Sequence, residues 1–399
     1  MVTKKKVIIL GASRYYKRSI EASLRAGYHV IAVDKNPESE GFLAATESFV
    51  CDIVDQEGIL ALAKARGIHG IVPVNDYGVP TAAYVSSCLG LSGISAETAL
   101  LATNKELMRQ RWLDVGVPCP RVEVALTFEE IALAAKRIGY PCILKPAHGI
   151  GGASRGVVVV KNEGDLAGSI EFSQSFYQDK TTLVESFVLS EFEHSAEVLI
   201  HKGKAHVIAI SDKVKTPLPY RVDKCVLYPT AVRGKRREGL EATIRRAVEA
   251  IGISCGAAHV ELATTAEGFI LFELGARCGG GGTPEPIVPF VTGVNLFVEL
   301  VRILVGDEPK NLEPLFERGC NYHFVTLKPG VIRSISGFDK LERHGSVLDA
   351  ELFVKPGQVV PEVKVGGDRS GFIIIGEKTR EGAYKTGIAL EDSLVVDYC

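Results

Sequence analysis

The chain has 399 residues, too many for one hydrophobic core, and 46% apolar with 24% charged residues is the composition of a folded globular protein of about two or three domains. Its 46 basic and 48 acidic residues leave a net charge of -2, which excludes a global basic field for nucleic acid or anionic lipid and makes any anion site local. Nine cysteines stand singly from Cys51 to Cys399 without a CxxC pair, which argues against a disulfide framework or a zinc site.

The N-terminal VIIL run is too short for a signal segment, and nothing approaches the roughly 20 apolar residues of a membrane span. A cytoplasmic protein with reduced thiols is expected. In chain order, KKVIILGAS predicts a strand ending in turn residues, followed by the helix YKRSIEASLRAG. HVIAVDKNP is a second strand, closed by Asp34, Asn36 and Pro37. SFVCDIVD, the helix GILALAKARG and the strand HGIVPVND repeat the pattern. Such alternation predicts an N-terminal doubly wound parallel α/β domain over residues 1–100. A helix around Ala82 to Leu89 stops at Gly90 and Gly93, and another near Asn104 to Val115 stops at Gly116, Pro118 and Pro120.

From there to about residue 310 the strands are joined by hairpin turns, as in EHSAEVLI-HKGK-AHVIAIS and AAHVELA-TTAEG-FILFELG. This predicts an α+β unit over residues 101–315, with a smaller lobe at about 118–187. The runs GVIRSISG, LDAELFV and GFIIIGE, with a helix after Thr379, predict a small C-terminal mixed domain over residues 316–399.

Three segments carry chemistry. In YPCILKPAHGIGGASRG a strand delivers Lys145 and a loop with Gly149, Gly151, Gly152 and Gly156 follows. Glycine amides approach phosphate oxygens closely, and an ammonium nearby neutralises them. Taken alone, the segment serves equally as a hairpin loop beside a structural lysine. In TTLVESFVLSEFEHSAEV a strand ending in Glu185 and Val188 precedes Glu191, Glu193 and Glu197, which suits an adenine edge and ribose hydroxyls, or an ordinary acidic turn.

The third segment decides. Glu261 and Glu273 lie on consecutive strands, and their spacing suits a hairpin that puts both carboxylates on one face. Like charges placed opposite each other destabilise a sheet unless a cation lies between them, and two carboxylates with a bridging phosphate suit Mg²⁺. Arg277 follows, placed to grip an anion. The run Gly279 to Gly282 is expected to allow close backbone approach to a ligand.

Together these pieces resemble the ATP-grasp superfamily, over essentially the whole chain and in the layout of L-amino-acid ligases and biotin carboxylases. The resemblance implies a pre-ATP-grasp α/β domain, a two-lobed ATP-grasp domain and a small C-terminal mixed domain. It implies phosphate-binding roles for Lys105 and Lys145 and a mobile phosphate loop from Gly149 to Gly156 that includes Gly151, Gly152 and Ser154, with His148 just before it. Glu185, Phe187 and Val188 would form the adenine hinge, Glu193 would accept the ribose, Glu261 and Glu273 would bind Mg²⁺ (or Mn²⁺), and Arg277 with Lys145 would be catalytic. One departure is plain: the family pattern Glu-x-Asn-x-Arg reads Glu273-Leu274-Gly275-Ala276-Arg277, which puts a second magnesium in doubt.

The reaction so implied activates a carboxylate as its acyl phosphate at the cost of ATP and passes it to an amine, with amino-acid or dipeptide-type ligation as the first reading and a homodimer as the assembly. Lys213, Lys215 and Arg221 suit a carboxylate-bearing partner, or form an exposed basic loop. The alternatives are a purine-pathway or carboxylating ATP-grasp enzyme, with Arg14 and Lys17 as a ribose-phosphate site, and a non-catalytic nucleotide-binding module. A nicotinamide oxidoreductase is disfavoured because GASRYYKRS lacks the GxGxxG spacing and Tyr15 and Tyr16 crowd a pyrophosphate. His148, His194, His259 and Cys278 have no partners in sequence that mark them as catalytic.

Overall fold

The computed structural model describes residues 4–147 and 152–399. His148, Gly149 and Gly151, expected in the phosphate loop, lie outside the described residues.

Four parallel strands open the chain, in the order Glu47–Val50, His29–Asp34, Lys6–Leu10, Gly70–Pro73. The apolar run of the first strand is continuous because both faces are covered. Ile8 and Leu10 pack with Ile59 and Ala63 of helix Gln56–Arg66. Val7 and Ile9 face Ile20 of helix Lys17–Arg25, together with Phe297 and Val301 of helix Leu296–Leu304. The sheet is thus doubly wound, as expected. Helix Gln56–Arg66 starts where the Asp55 side chain accepts from the Gly58 amide and ends at Gly67, whose φ of 58° admits the left-handed turn.

Strand order reverses direction between Lys6–Leu10 and Gly70–Pro73, and the crevice beyond the carboxyl ends of strands at such a point is where open α/β sheets place ligands. Tyr15 follows the first of these strands and Asp76 the second, and both line the same cleft.

The smaller lobe is a four-stranded antiparallel sheet ordered Val122–Ala125, Thr182–Ser186, Cys142–Pro146, Val158–Val160. Helices Phe128–Ile138 and Leu166–Gln174 close its core, which holds Ile131, Leu144, Val160 and Ile170. The larger sheet has eight strands, in the order Phe269–Gly275, Gly256–Thr264, Phe192–His201, Lys204–Lys215, Asp223–Tyr228, Gly319–Val325, Gly371–Glu377, Val347–Leu352. The C-terminal segment therefore extends the central ladder, and only Val359–Val360, Gly330–Ser336 and Val395–Tyr398 form a small sheet of their own. Among the described residues no single helix is long and apolar enough to cross a membrane.

Candidate functional site

The hairpin Gly256–Thr264 and Phe269–Gly275 pairs Glu261 directly with Glu273, and the register shifts just after Glu261. The two carboxylates share one face and open into a cleft of about 520 Å³ between the lobes. Lys105, Lys145, Gly152, Ser154, Glu185, Phe187, Val188, Glu193 and Arg277 line it with them, so these expected residues converge on one space, while Gly156 of the expected loop is not part of its lining.

Most cations there face a carboxylate. Lys105 opens helix Lys105–Asp114, which Asn104 caps by accepting from the Leu107 amide, and its ammonium lies 3.0 Å from Glu273. Burial opposes its charge, but Glu273 and then Asp76 hold its pKa above the ordinary lysine value. Lys213 pairs with Glu261. Glu261 is held well below the usual carboxylate range against its burial, first by Lys213 and then by His259.

Lys145 ends its strand 2.8 Å from Glu185, whose other oxygen takes Arg109 at 2.9 Å. Burial lowers the Lys145 pKa and Arg109 adds to this, while Glu185, flanked by two cations, stays a carboxylate despite its burial. Arg109 also donates to the Leu271 carbonyl at 2.6 Å, so one fully buried guanidinium ties the smaller lobe to the hairpin that carries Glu261 and Glu273. It was not singled out in the sequence, because nothing about KELMRQR marks one arginine as buried. Lys215 pairs with Asp223 at 2.6 Å and Arg221 with Glu193, so the expected basic loop is neither solvated nor free.

Arg277 is gripped by Asp76 through two hydrogen bonds, Nε to Oδ1 at 3.0 Å and Nη2 to Oδ2 at 2.7 Å. Burial opposes both charges, yet each holds the other ionised, with the arginine raised and the aspartate lowered. The Asp76 pairing explains Gly275. A Cβ there would meet Asp76 Oδ1 at 2.7 Å, so the carboxylate from the first sheet occupies the space an asparagine side chain would need.

The glycine run differs from the expectation in one respect. A Cβ on Gly279 would fall 2.4 Å from Glu197 Oε1, one on Gly281 2.6 Å from the Tyr322 hydroxyl and one on Gly282 2.3 Å from Ile374, so close approach is to the protein's own side chains. Only Gly280 has open space. Gly279 donates its amide to Glu197 at 2.8 Å, and Glu197 in turn binds His259 Nδ1 at 2.5 Å. Burial pushes the Cys278 thiol well above its ordinary pKa, which removes it as a nucleophile. His194 is a satisfied core residue between Asp212 at 2.8 Å and Thr264 at 2.7 Å.

An ATP-grasp domain model matches residues 138–285, and the model of L-amino acid ligase C-terminal domain 2 matches residues 323–398. The uncharacterized protein y4rH of Sinorhizobium fredii is 25% identical over 393 residues, 95% of this chain and 80% of its own. A formate-dependent phosphoribosylglycinamide formyltransferase of Burkholderia pseudomallei is 30% identical over 193 residues, so the match spans about half of each protein (47%). The crystal structure of L-amino acid ligase from Bacillus licheniformis superposes with a TM-score of 0.83 at 20% identity, covering 100% of both chains.

Proposed function

We propose that this chain, whose domain content and architecture are those of the ATP-grasp superfamily, is an ADP-forming carboxylate–amine ligase. The observation that carries the reading is the register pair Glu261–Glu273, with Lys105, Lys145 and Arg277 lining the same cleft. A non-catalytic nucleotide module needs no such convergence beyond its nucleotide.

In this reading the phosphates of ATP lie toward Lys105, Lys145, Gly152 and Ser154. The backbone of Glu185 to Val188 faces adenine and Glu193 faces the ribose. The donor set of Glu261 and Glu273 fits magnesium, which is ordinarily held by one or two carboxylates with phosphate oxygens and water. Bound there, it would neutralise charge on the transferring phosphoryl group. A substrate carboxylate oxygen attacks the γ-phosphorus, the bond to the bridging oxygen breaks, and ADP departs. The side chains of Lys145 and Arg277 stabilise the charge that develops. The amine nitrogen then attacks the acyl carbon, the C–O bond to phosphate breaks, and the nitrogen gives up one proton as the amide forms. The sum is carboxylate, amine and ATP to amide, ADP and phosphate. Asp76 is a positioning residue in this scheme: it fixes the Arg277 fork.

Amino-acid or dipeptide-type ligation is favoured within the class by the match at residues 323–398. The purine reading drew weak support from Arg14 and Lys17 as a ribose-phosphate site, and of these Arg14 pairs with Glu351 and stacks 4.3 Å over Phe353. The division at 1–100, 101–315 and 316–399, a cytoplasmic location and a homodimer complete the proposal. Nine free cysteines support the location, and light scattering tests the dimer. ADP release measured across amino-acid pairs, small carboxylates and purine intermediates is the test of function. Turnover that requires both a carboxylate and an amine supports the reading, and turnover only with a purine ribonucleotide would sink it.

A further inference from the structure

The same cleft has an aromatic stretch of wall, which adjoins the glycine run where Gly281 meets Tyr322. Tyr15 comes from the turn after the first strand, Tyr322 and Phe324 from Gly319–Val325, Phe353 from just past Val347–Leu352, and Phe372 from Gly371–Glu377. The rings touch one another. Tyr322 and Phe324 have centroids 4.4 Å apart, Tyr322 and Phe372 meet edge-on at 5.5 Å, and Phe353 and Phe372 stand at 6.0 Å.

Two cations join this wall, Arg14 over Phe353 and Arg369 over Phe324, and among the described residues only the second is without a carboxylate partner. The guanidinium carbon of Arg369 lies 3.5 Å from the centre of the Phe324 ring. Its Nη2 donates to the Asp223 carbonyl at 2.8 Å and its Nε is sealed from solvent without a partner, while no hydrogen bond among the described residues engages its Nη1. The Asp223 carboxylate is committed to Lys215 at 2.6 Å. Other cations near the cleft are likewise engaged, Arg14 with Glu351 and Lys213 with Glu261. A planar guanidinium fixed on a ring, with a donor unused, is arranged for a planar anion.

Ligation creates a need for such an anchor. The carboxylate that reacts must lie at the phosphates and Arg277. An amine substrate that is itself an amino acid keeps its own carboxylate through the reaction, and that group has to be held elsewhere and away from ATP. We propose that the aromatic end of the cleft binds the amine substrate as an α-amino acid with a large apolar or aromatic side chain, its carboxylate on Arg369 and its side chain against Tyr15, Phe353 and Phe372. The proposal rests on the ligase reading above and adds a substrate class to it.

The test uses the full chain and three probes, L-phenylalanine, glycine and 2-phenylethylamine, in calorimetric binding and as amines in ADP release. L-phenylalanine is expected to bind about tenfold or more tightly than glycine, which lacks the ring, and than 2-phenylethylamine, which lacks the carboxylate. Arg369→Gln is expected to raise the KM for the amine by about 10- to 100-fold with the KM for ATP unchanged, and to bring L-phenylalanine down to the level of 2-phenylethylamine. Phe353→Ala is expected to narrow the gap between L-phenylalanine and glycine. Equal binding of the three probes by the unaltered protein overturns the proposal without reference to any variant, as does an amine KM that Arg369→Gln leaves untouched. The probes binding in the expected order with no ADP release from any amine would instead count against the ligase reading while leaving the pocket's chemistry in place.

Discussion

The two ends of the cleft are built in opposite ways. Around Glu261 and Glu273 the wall is charge against charge, with Lys105, Lys213 and Lys145 each facing a carboxylate. Along the aromatic stretch it is five rings and two guanidiniums, one of them with an unused donor. The first end consists of short local pieces, a hairpin and two strand ends, whose spacing sets their geometry. The second is gathered from Tyr15 near one terminus and from strands near the other. A cleft can therefore keep its phosphate chemistry fixed while its substrate end changes residue by residue.

The comparison can be broken most severely at the charged end. Glu273→Ala is expected to cut ADP release by about a thousandfold or more, because it removes one of the two carboxylates proposed to hold magnesium and strips Lys105 of its partner. Binding of L-phenylalanine should be unchanged if the ends are separable, and a matching loss there would mean that they are not.

Asp76→Ala acts at the junction between them. It leaves Arg277 charged and mostly buried, and urea unfolding at neutral pH should show a loss on the order of 3 kcal/mol. Gly275→Asn restores the family residue but drives its Cβ into Asp76, so turnover is expected to fall by about tenfold. Combined with Asp76→Ala it should cost less than the two single changes added together, and strict additivity would show that the two positions do not compete for space.

The smallest effect is in pH. Burial opposes ionisation of Asp76, but Arg277 outweighs it and the folded pKa lies below the free value. The stability it contributes is thus complete above about pH 4 and is lost as pH falls through that lower value. The difference between the unaltered protein and Asp76→Asn should stay flat from about pH 8 to 5 and shrink below about 4. A difference that grew on acidification would contradict the pairing.

What was legible in the sequence follows the same division. The parallel sheet, the hairpin and the pairing of Glu261 with Glu273 are consequences of local period and turn residues, and register does the rest. Lys145 and Arg277 stand close in sequence to such a marker, whereas Lys105 was assigned through the resemblance alone. Asp76 and Arg109 were not, since the partners that define them, Arg277 and Glu185, come from distant segments. The glycine run was legible as a place of close approach but not as an approach to Glu197 and Tyr322, which no pattern of spacing connects to it. The aromatic wall leaves no trace in any window, because the larger sheet runs on into the C-terminal strands only once folded.

The central claim is acyl transfer through phosphate, and oxygen labelling tests it most directly. With a carboxylate substrate carrying ¹⁸O in both oxygens, an amine and ATP, the released phosphate is analysed by mass spectrometry. Transfer of one ¹⁸O into phosphate for each amide formed is the result the account predicts. Amide formation with unlabelled phosphate would contradict it, because the carboxylate would then never have attacked the γ-phosphorus.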